Sequence, residues 1–300
     1  MGTLVIKSVS NPVLVGSSKG FRLAVESARK AAREKDPVLF QGEIGTGKLL
    51  IATFLHRESQ RADKPFLVVD CADPIAVTEF LSENIDSGSI NYLQGGTIYF
   101  REVASLSLLK QAELYKWCIQ AETKDIRVIL SSSQNVHLLM YDKAFDKDLY
   151  RLVSQREVSI PSLRQRKEDL PELIAHFIGV LNLRLRKSIQ GLTPQVEQIF
   201  ATYRWPGNVE EVKQVLTRAI ILCNETFIGQ RHLMDYLGQA GEEQFSSHDI
   251  MPLERMEEIL LRSALTRYGY TLEGKKRAAR ALNISLATLY NKVKRYNLNE

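Results

Sequence analysis

The residues Gly42-Glu-Ile-Gly-Thr-Gly-Lys48 hold the chain's most concentrated phosphate-handling chemistry. Glycines at 42, 45 and 47 let backbone N–H groups converge on a phosphate. The helix expected after them adds the positive end of its dipole, and Lys48 adds a point charge. The candidate nucleotide-binding set is therefore Gly42, Glu43, Ile44, Gly45, Thr46, Gly47, Lys48 and Leu49, with ATP or ADP as ligand. Loops of this kind place a Ser or Thr after the lysine to hold magnesium. Here that position is Leu49, so binding is expected and hydrolysis does not follow from it.

A second concentration lies at the other end. Residues 271–300 hold seven basic side chains against two acidic ones, a balance of +5 that equals the net charge of the whole chain. The body is thus near neutral and the basic tail suits nucleic acid. Residues 275–297 read as helix, turn, helix, with Asn283-Ile-Ser285 as the turn and Ser285 as N-cap. Ala278, Ala279 and Leu282 form the first helix's apolar face. The second helix, Leu286 to Tyr296, turns Leu289 and Val293 inward and Thr288, Asn291, Lys292 and Arg295 outward. Uncharged polar donors among cations suit base edges flanked by phosphates in a major groove. The candidate DNA contacts are Lys275, Lys276, Arg277, Ser285, Thr288, Asn291, Lys292, Lys294 and Arg295, and the partner is double-stranded DNA.

Other chemistry is sparse. Cys71, Cys118 and Cys223 lack metal spacing and read as buried thiols. His56, His137, His176, His232 and His248 show no ligand pattern, and no metal site is expected. Tyr268, Tyr290 and Tyr296 sit at helical spacings that suit core or subunit packing better than base stacking. Arg184-Leu-Arg186-Lys187 reads as a solvated helix end, with a pocket for an anionic second messenger as the alternative. Arg164 and Arg166 could be anion ligands or packing residues.

These groups must be positioned by a scaffold, and the chain of 300 residues is long enough for two or three domains. Hydrophobic content of 44% and charged content of 25% are ordinary for a globular protein, with no apolar run long enough to span a membrane and no signal peptide. A cytoplasmic protein is expected. The opening segment alternates like a short strand or arm. Near-continuous apolar strands are expected at 37–41, 66–71, 96–101, 126–131 and 156–160, the pattern of a parallel sheet covered on both faces. Helices are expected at 19–34, 48–59, 74–84, 105–121 and 144–152, then a helical region with segments 169–187, 193–202 and 209–222. Residues 238–249 have linker composition, and 252–267 form an amphipathic helix whose apolar face suits pairing with a second subunit.

Taken in order, Gly42-Glu-Ile-Gly-Thr-Gly-Lys48, Phe66-Leu-Val-Val-Asp-Cys-Ala72, Gly95-Gly-Thr-Ile-Tyr-Phe-Arg-Glu102, Pro161-Ser-Leu-Arg-Gln-Arg-Lys-Glu-Asp-Leu-Pro171 and Trp205-Pro-Gly-Asn-Val209 resemble the bacterial enhancer-binding proteins. These are AAA+ ATPases acting with the sigma-54 form of RNA polymerase, and the C-terminal module resembles their Fis-type helix-turn-helix. The resemblance implies an α/β AAA+ P-loop parallel sheet with a helical lid, followed by an all-α DNA-binding domain. The expected limits are an arm at 1–11, core 12–165, lid 166–238, linker 239–251 and DNA-binding domain 252–300, with no receiver domain ahead of the core.

Departures from that family pattern are equally specific. About two dozen residues, Ala72 to Gly95, join the second and third strands, and the sigma-contacting GAFTGA loop is absent from them. Arg101-Glu102 stands where the family has Asp-Glu, placing a cation at a metal position. Glu102 would be the water-polarising base of an intact site. Ser133 replaces the sensor asparagine, Asp146 replaces one arginine finger, Arg151 is a displaced second finger, and Glu210 replaces the lid arginine. Loss of one such element removes about 10²–10³ in rate. The resemblance with these losses implies a DNA-binding transcription regulator that binds ATP or ADP and hydrolyses ATP poorly or not at all, with no dependable magnesium. It would be a homo-oligomer, dimeric through its C-terminal module and larger through AAA+ contacts. RNA polymerase or its sigma factor is a further partner. The alternative is a working sigma-54-dependent ATPase activator.

Overall fold

The computed structural model describes residues 3–6, 12–82, 91–233 and most of 261–298. The chain divides into two compact units, Met1–Gln239 and Ala240–Glu300.

The first unit is built on a six-stranded sheet made of β1 (Thr3–Ile6), β2 (Val38–Gln41), β3 (Phe66–Asp70), β4 (Thr97–Arg101), β5 (Arg127–Ser132) and β6 (Glu157–Ser159), in the order β1-β3-β4-β5-β2-β6. All neighbouring pairs are parallel except β1 with β3. The opening segment is therefore an antiparallel edge strand. Phe40, Phe66, Ile98, Phe100, Ile129 and Leu130 are buried. Such two-sided burial is why these strands lack polar alternation.

Helices α1 (Lys19–Ala32), α2 (Lys48–Glu58), α3 (Pro74–Ser82), α4 (Leu108–Thr123), α5 (Val136–Tyr141) and α6 (Lys147–Val153) follow the strands. One face is sealed by α1 and α2 through Phe21, Ala24, Ala28, Ile51 and Leu55. The other closes over Trp117, Phe80 and Phe100, whose rings meet at 5.1–5.7 Å. The expected helix at 144–152 starts later, at Lys147, because the Asp146 carboxylate caps it by accepting from the N–H groups of Asp148 and Leu149. Helix α5, unexpected from sequence, is started the same way by Asn135.

The lid comprises α7 (Leu170–Leu185), α8 (Pro194–Thr202) and α9 (Asn208–Leu222). Two short strands, β7 (Gly191–Leu192) and β8 (Phe227–Ile228), pair in parallel within it, where only helices were expected. Lys187 does not end in solvent. Its ammonium donates to the Cys223 carbonyl at 2.8 Å and so caps the carboxyl end of α9.

In the second unit, α10 (Leu272–Ala281) and α11 (Leu286–Arg295) pack through Ala278, Ala279, Leu289 and Val293, together with Leu261 and Leu265. Most of the expected 252–267 helix lies outside the described residues. All three cysteines are buried free thiols. No described helix is long and apolar enough to cross a membrane.

Candidate nucleotide and DNA sites

The phosphate loop leaves the carboxyl end of β2, where open parallel sheets place their ligands. Gly45 and Gly47 take positive φ values of 79° and 102°, and Gly47 begins α2 with no side-chain cap. The first turn of α2 therefore offers main-chain N–H groups to an anion. A Cβ built on Gly47 would meet nothing within 4 Å, so the loop opens onto free space. Backbone curvature, helix terminus and Lys48 together fit the phosphates of a nucleotide.

Lys48 is buried, and its ammonium contacts the Gly42 carbonyl at 2.7 Å, the Glu43 carbonyl at 3.1 Å and Glu102 at 3.0 Å. Burial holds it below the usual lysine range; Glu102 opposes that shift and Arg101 adds to it. Glu102 itself sits in a left-handed backbone conformation just past β4 and accepts from the Ser133 N–H at 2.8 Å. Burial disfavours its charge, but the Ser133 hydrogen bond and Lys48 outweigh that and keep its pKa below the ordinary carboxylate value. Glu102, Lys48 and Ser133 thus form one cluster at the carboxyl ends of the interior strands β4, β5 and β2.

Arg101 does not occupy a metal position as a free cation. It is paired across the β3–β4 register with Asp70, its guanidinium 3.3 Å from that carboxylate. Leu49, next to Lys48 in α2, is exposed. Magnesium requires near-octahedral oxygen donors, and here Leu49 offers none, Asp70 holds Arg101, and Glu102 holds Lys48. The donor set does not fit the ion. Arg151 is exposed and paired with Asp148, so it does not join this cluster within the chain.

The lid meets the loop directly. The Val209 and Glu210 N–H groups donate to the Gly45 carbonyl at 3.0 and 3.3 Å. A Cβ on Gly45 would lie 2.1 Å from the Gly207 carbonyl, so this approach admits only glycine. Glu210 lies beside the loop, its Cβ 3.4 Å from where a Cβ on Gly45 would stand, and its carboxylate pairs with Lys213 at 3.1 Å, one turn on. Asn208, fully buried, donates to the Ile44 carbonyl at 2.8 Å and to Glu43 at 3.2 Å, and accepts from the Leu163 N–H at 2.8 Å. Arg164 forms a two-pronged pair with Glu43, one prong at 2.7 Å. That hydrogen bond, with Asn208 helping against burial, lowers the Glu43 pKa. Arg166, also buried, donates to the Thr46 carbonyl at 2.9 Å and lies over the Phe21 ring. Both arginines of the junction motif are thereby used to hold the loop. Sequence reading missed the Glu43–Arg164–Asn208 clamp because its members are 121 and 165 residues apart.

His56 is buried against Thr97 at 2.9 Å and serves the packing. In the second unit, Ser285 caps α11 by accepting from the Thr288 N–H, and the two hydroxyls are 2.7 Å apart. Asn291, Lys294 and Arg295 are exposed, Thr288 and Lys292 half-buried, on the helix whose other side buries Leu289 and Val293. Lys276 and Arg277 are exposed on α10, and Lys275 lies over the Tyr290 ring at 5.3 Å. Tyr268 and Tyr290 are exposed within this unit, contrary to a core role, whereas Tyr296 packs against the core cluster.

Family models match the chain in order: a Sigma-54 interaction domain over residues 15–163, an AAA+ ATPase lid domain over 164–250 and a bacterial regulatory protein of the Fis family over 252–296. The transcriptional regulatory protein ZraR of Salmonella typhi is 30% identical over 94% of this chain and 68% of its own length. This chain belongs to the sigma-54-dependent transcriptional regulators. The phenol regulator MopR of Acinetobacter guillouiae is also 30% identical over 95% of the chain, which spans 56% of MopR. The structure of NtrX from Brucella abortus in complex with ATP superposes with a TM-score of 0.69 at 23% identity, covering 95% of this regulator and 70% of NtrX. The family models and that likeness together give the fold: an AAA+ P-loop sheet with helical lid, followed by a Fis-type helix-turn-helix.

Proposed function

We propose that this family member is a sequence-specific DNA-binding regulator whose AAA+ core binds ATP or ADP and hydrolyses ATP poorly or not at all. The observation that carries the second half is Arg101. It stands at the end of β4 where the resemblance implies a metal-holding carboxylate, and it occupies Asp70, the neighbouring acid on β3. Lys48 and the loop backbone remain to bind phosphate, which accords with NtrX having been crystallised with ADP and with ATP. Glu102 is retained, and its carboxylate is held by Lys48 and by the Ser133 N–H. Gly42, Glu43, Ile44, Gly45, Thr46, Gly47 and Lys48 form the nucleotide site in this reading, with Leu49 as the first exposed residue of α2.

The DNA interface comprises Asn291, Lys292, Lys294 and Arg295 on α11 with Lys275, Lys276 and Arg277 on α10. Ser285 and Thr288 cap α11 and hold its amino-terminal end at the groove. Two copies reading a pseudo-palindrome, domain limits at 11/12, 165/166, 238/239 and 251/252, and a cytoplasmic location complete the reading. A sigma factor is the partner that family membership favours. Titration calorimetry of the full chain with ATP, with and without magnesium, tests the core. Binding of equal affinity in both conditions is expected; binding that requires magnesium would contradict it.

A further inference from the structure

A recess lies at the end of the sheet opposite the phosphate loop. It is lined by the carboxyl end of α1 (Ala32, Arg33), by Arg61 and Lys64 ahead of β3, and by Arg127 at the start of β5, and its volume is about 190 Å³. Arg33, Lys35, Arg61, Lys64 and Arg127 supply its positive charge, against Glu34 and Asp125.

Glu34 is engaged from outside the recess and Asp125 from within it, which leaves Arg33, Lys64 and Arg127 as the cations not paired with an acid of the lining. Arg156 holds Glu34 at 2.7 Å, while Arg61 and Lys35 hold Asp125 at 2.5 and 3.8 Å. Arg127 is 2% exposed, and its hydrogen-bond partners among the described residues are main-chain carbonyls. Its guanidinium donates to the Ala31 and Ala32 carbonyls at 2.6 and 3.4 Å, and its Nε finds no hydrogen-bond partner. The α1 carboxyl end supplies only about half a negative charge in compensation. Burying a guanidinium without a directly paired carboxylate is costly; burial lowers its pKa to about 10, and the more distant Asp36 and Glu34 only partly oppose that shift. Arg33, Lys35 and Lys64 stand exposed at the rim, with the Lys64 stem alongside Gly95.

We propose that this recess is a second anion site of the core, taking a compact diphosphate group. Its volume falls below the roughly 300–1,000 Å³ of sites for drug-sized ligands, which favours a multiply charged anion of few atoms over a whole organic molecule. Helix α2 starts from the phosphate loop, and the residues that follow its carboxyl end, Ser59 to Arg61, form part of the recess wall. One rigid element therefore joins the two anion sites.

The test uses the full chain carrying Lys48→Ala, which removes the principal cation of the phosphate loop, titrated calorimetrically with sodium pyrophosphate. Saturable binding is expected, weakened at least about tenfold when Arg33→Ala and Lys64→Ala are added, since each charged hydrogen bond contributes about a factor of ten. These rim residues are exposed, so the fold should be kept; circular dichroism checks it. Arg127→Met, used only if it folds, should abolish binding. A parallel titration with ADP identifies the source. Rim-dependent ADP binding means a nucleotide carries the diphosphate; pyrophosphate binding alone means a free anion, and either result supports the site. No pyrophosphate binding to the Lys48→Ala chain, or binding unchanged by the rim substitutions, overturns the proposal. So does rim dependence seen only with duplex DNA.

Discussion

Asn208→Ala should uncouple the lid from the core, and the size of the effect follows from its contacts. The side chain is fully buried and satisfies the Leu163 N–H and the Ile44 carbonyl, each at 2.8 Å. Each main-chain group left unpaired costs about 1–3 kcal/mol. The residue also sits at φ 54°, a left-handed conformation that asparagine tolerates and alanine resists by roughly 1 kcal/mol. Water entering the gap recovers part of this, leaving a loss of about 3 kcal/mol. The chain has two tryptophans, buried Trp117 in the core and buried Trp205 in the lid. Single-tryptophan variants therefore report the two parts separately. With a urea slope of about 2 kcal/mol/M, the Trp205 midpoint should fall by about 1.5 M while the Trp117 midpoint moves much less. Asn208→Gly, which tolerates the backbone but lacks the amide, should recover only about 1 kcal/mol. Unchanged midpoints at both tryptophans would refute the clamp.

Three further outcomes are expected. His56 is buried with a pKa pushed down to about 4, against about 6.5 when unfolded; the unfolded chain takes the proton first as pH falls. Its contribution is complete above pH 6.5 and declines between about 6.5 and 4, by about 3 kcal/mol. Denaturation of His56→Gln at pH 7 and 4.5 should show a correspondingly shallower loss, and identical slopes would rule this out. Lys294→Ala and Arg295→Ala should each flatten the plot of log binding constant against log salt by about 0.9 if each contacts one phosphate; a gel-shift titration at several salt concentrations measures it. Gly274→Ala puts a methyl 2.3 Å from the Tyr268 and Gly269 carbonyls, so DNA binding should be lost at lower temperature than nucleotide binding, by about 1–3 kcal/mol of overpacking in the second unit.

The parts legible in sequence were those with short-range signals. The strand-loop-helix at 38–58 follows from apolar run, glycine spacing and lysine, and the helix-turn-helix from Ser285 with its flanking apolar positions. Helix α5 was missed because its six residues carry almost no periodicity, and only the Asn135 cap marked it. Strands β7 and β8 are two residues each, too short for any pattern. Arg101 and Glu210 were identified as departures, but their partners, Asp70 across a strand and Lys213 one turn on, decide what those departures do. The clamp of Glu43, Arg164 and Asn208 was out of reach, since only the fold brings the phosphate loop, the junction motif and the lid together. Family membership follows from motif order, whereas the proposed loss of turnover rests on side-chain pairings that a motif does not contain.

That loss is the central claim, and steady-state ATP turnover by the full chain with magnesium tests it most directly. With ATP binding established on the same sample, turnover should stay at background and be unchanged in Lys48→Ala. A rate near the enzymatic range of about 1 s⁻¹ or above, abolished by Lys48→Ala, would contradict it.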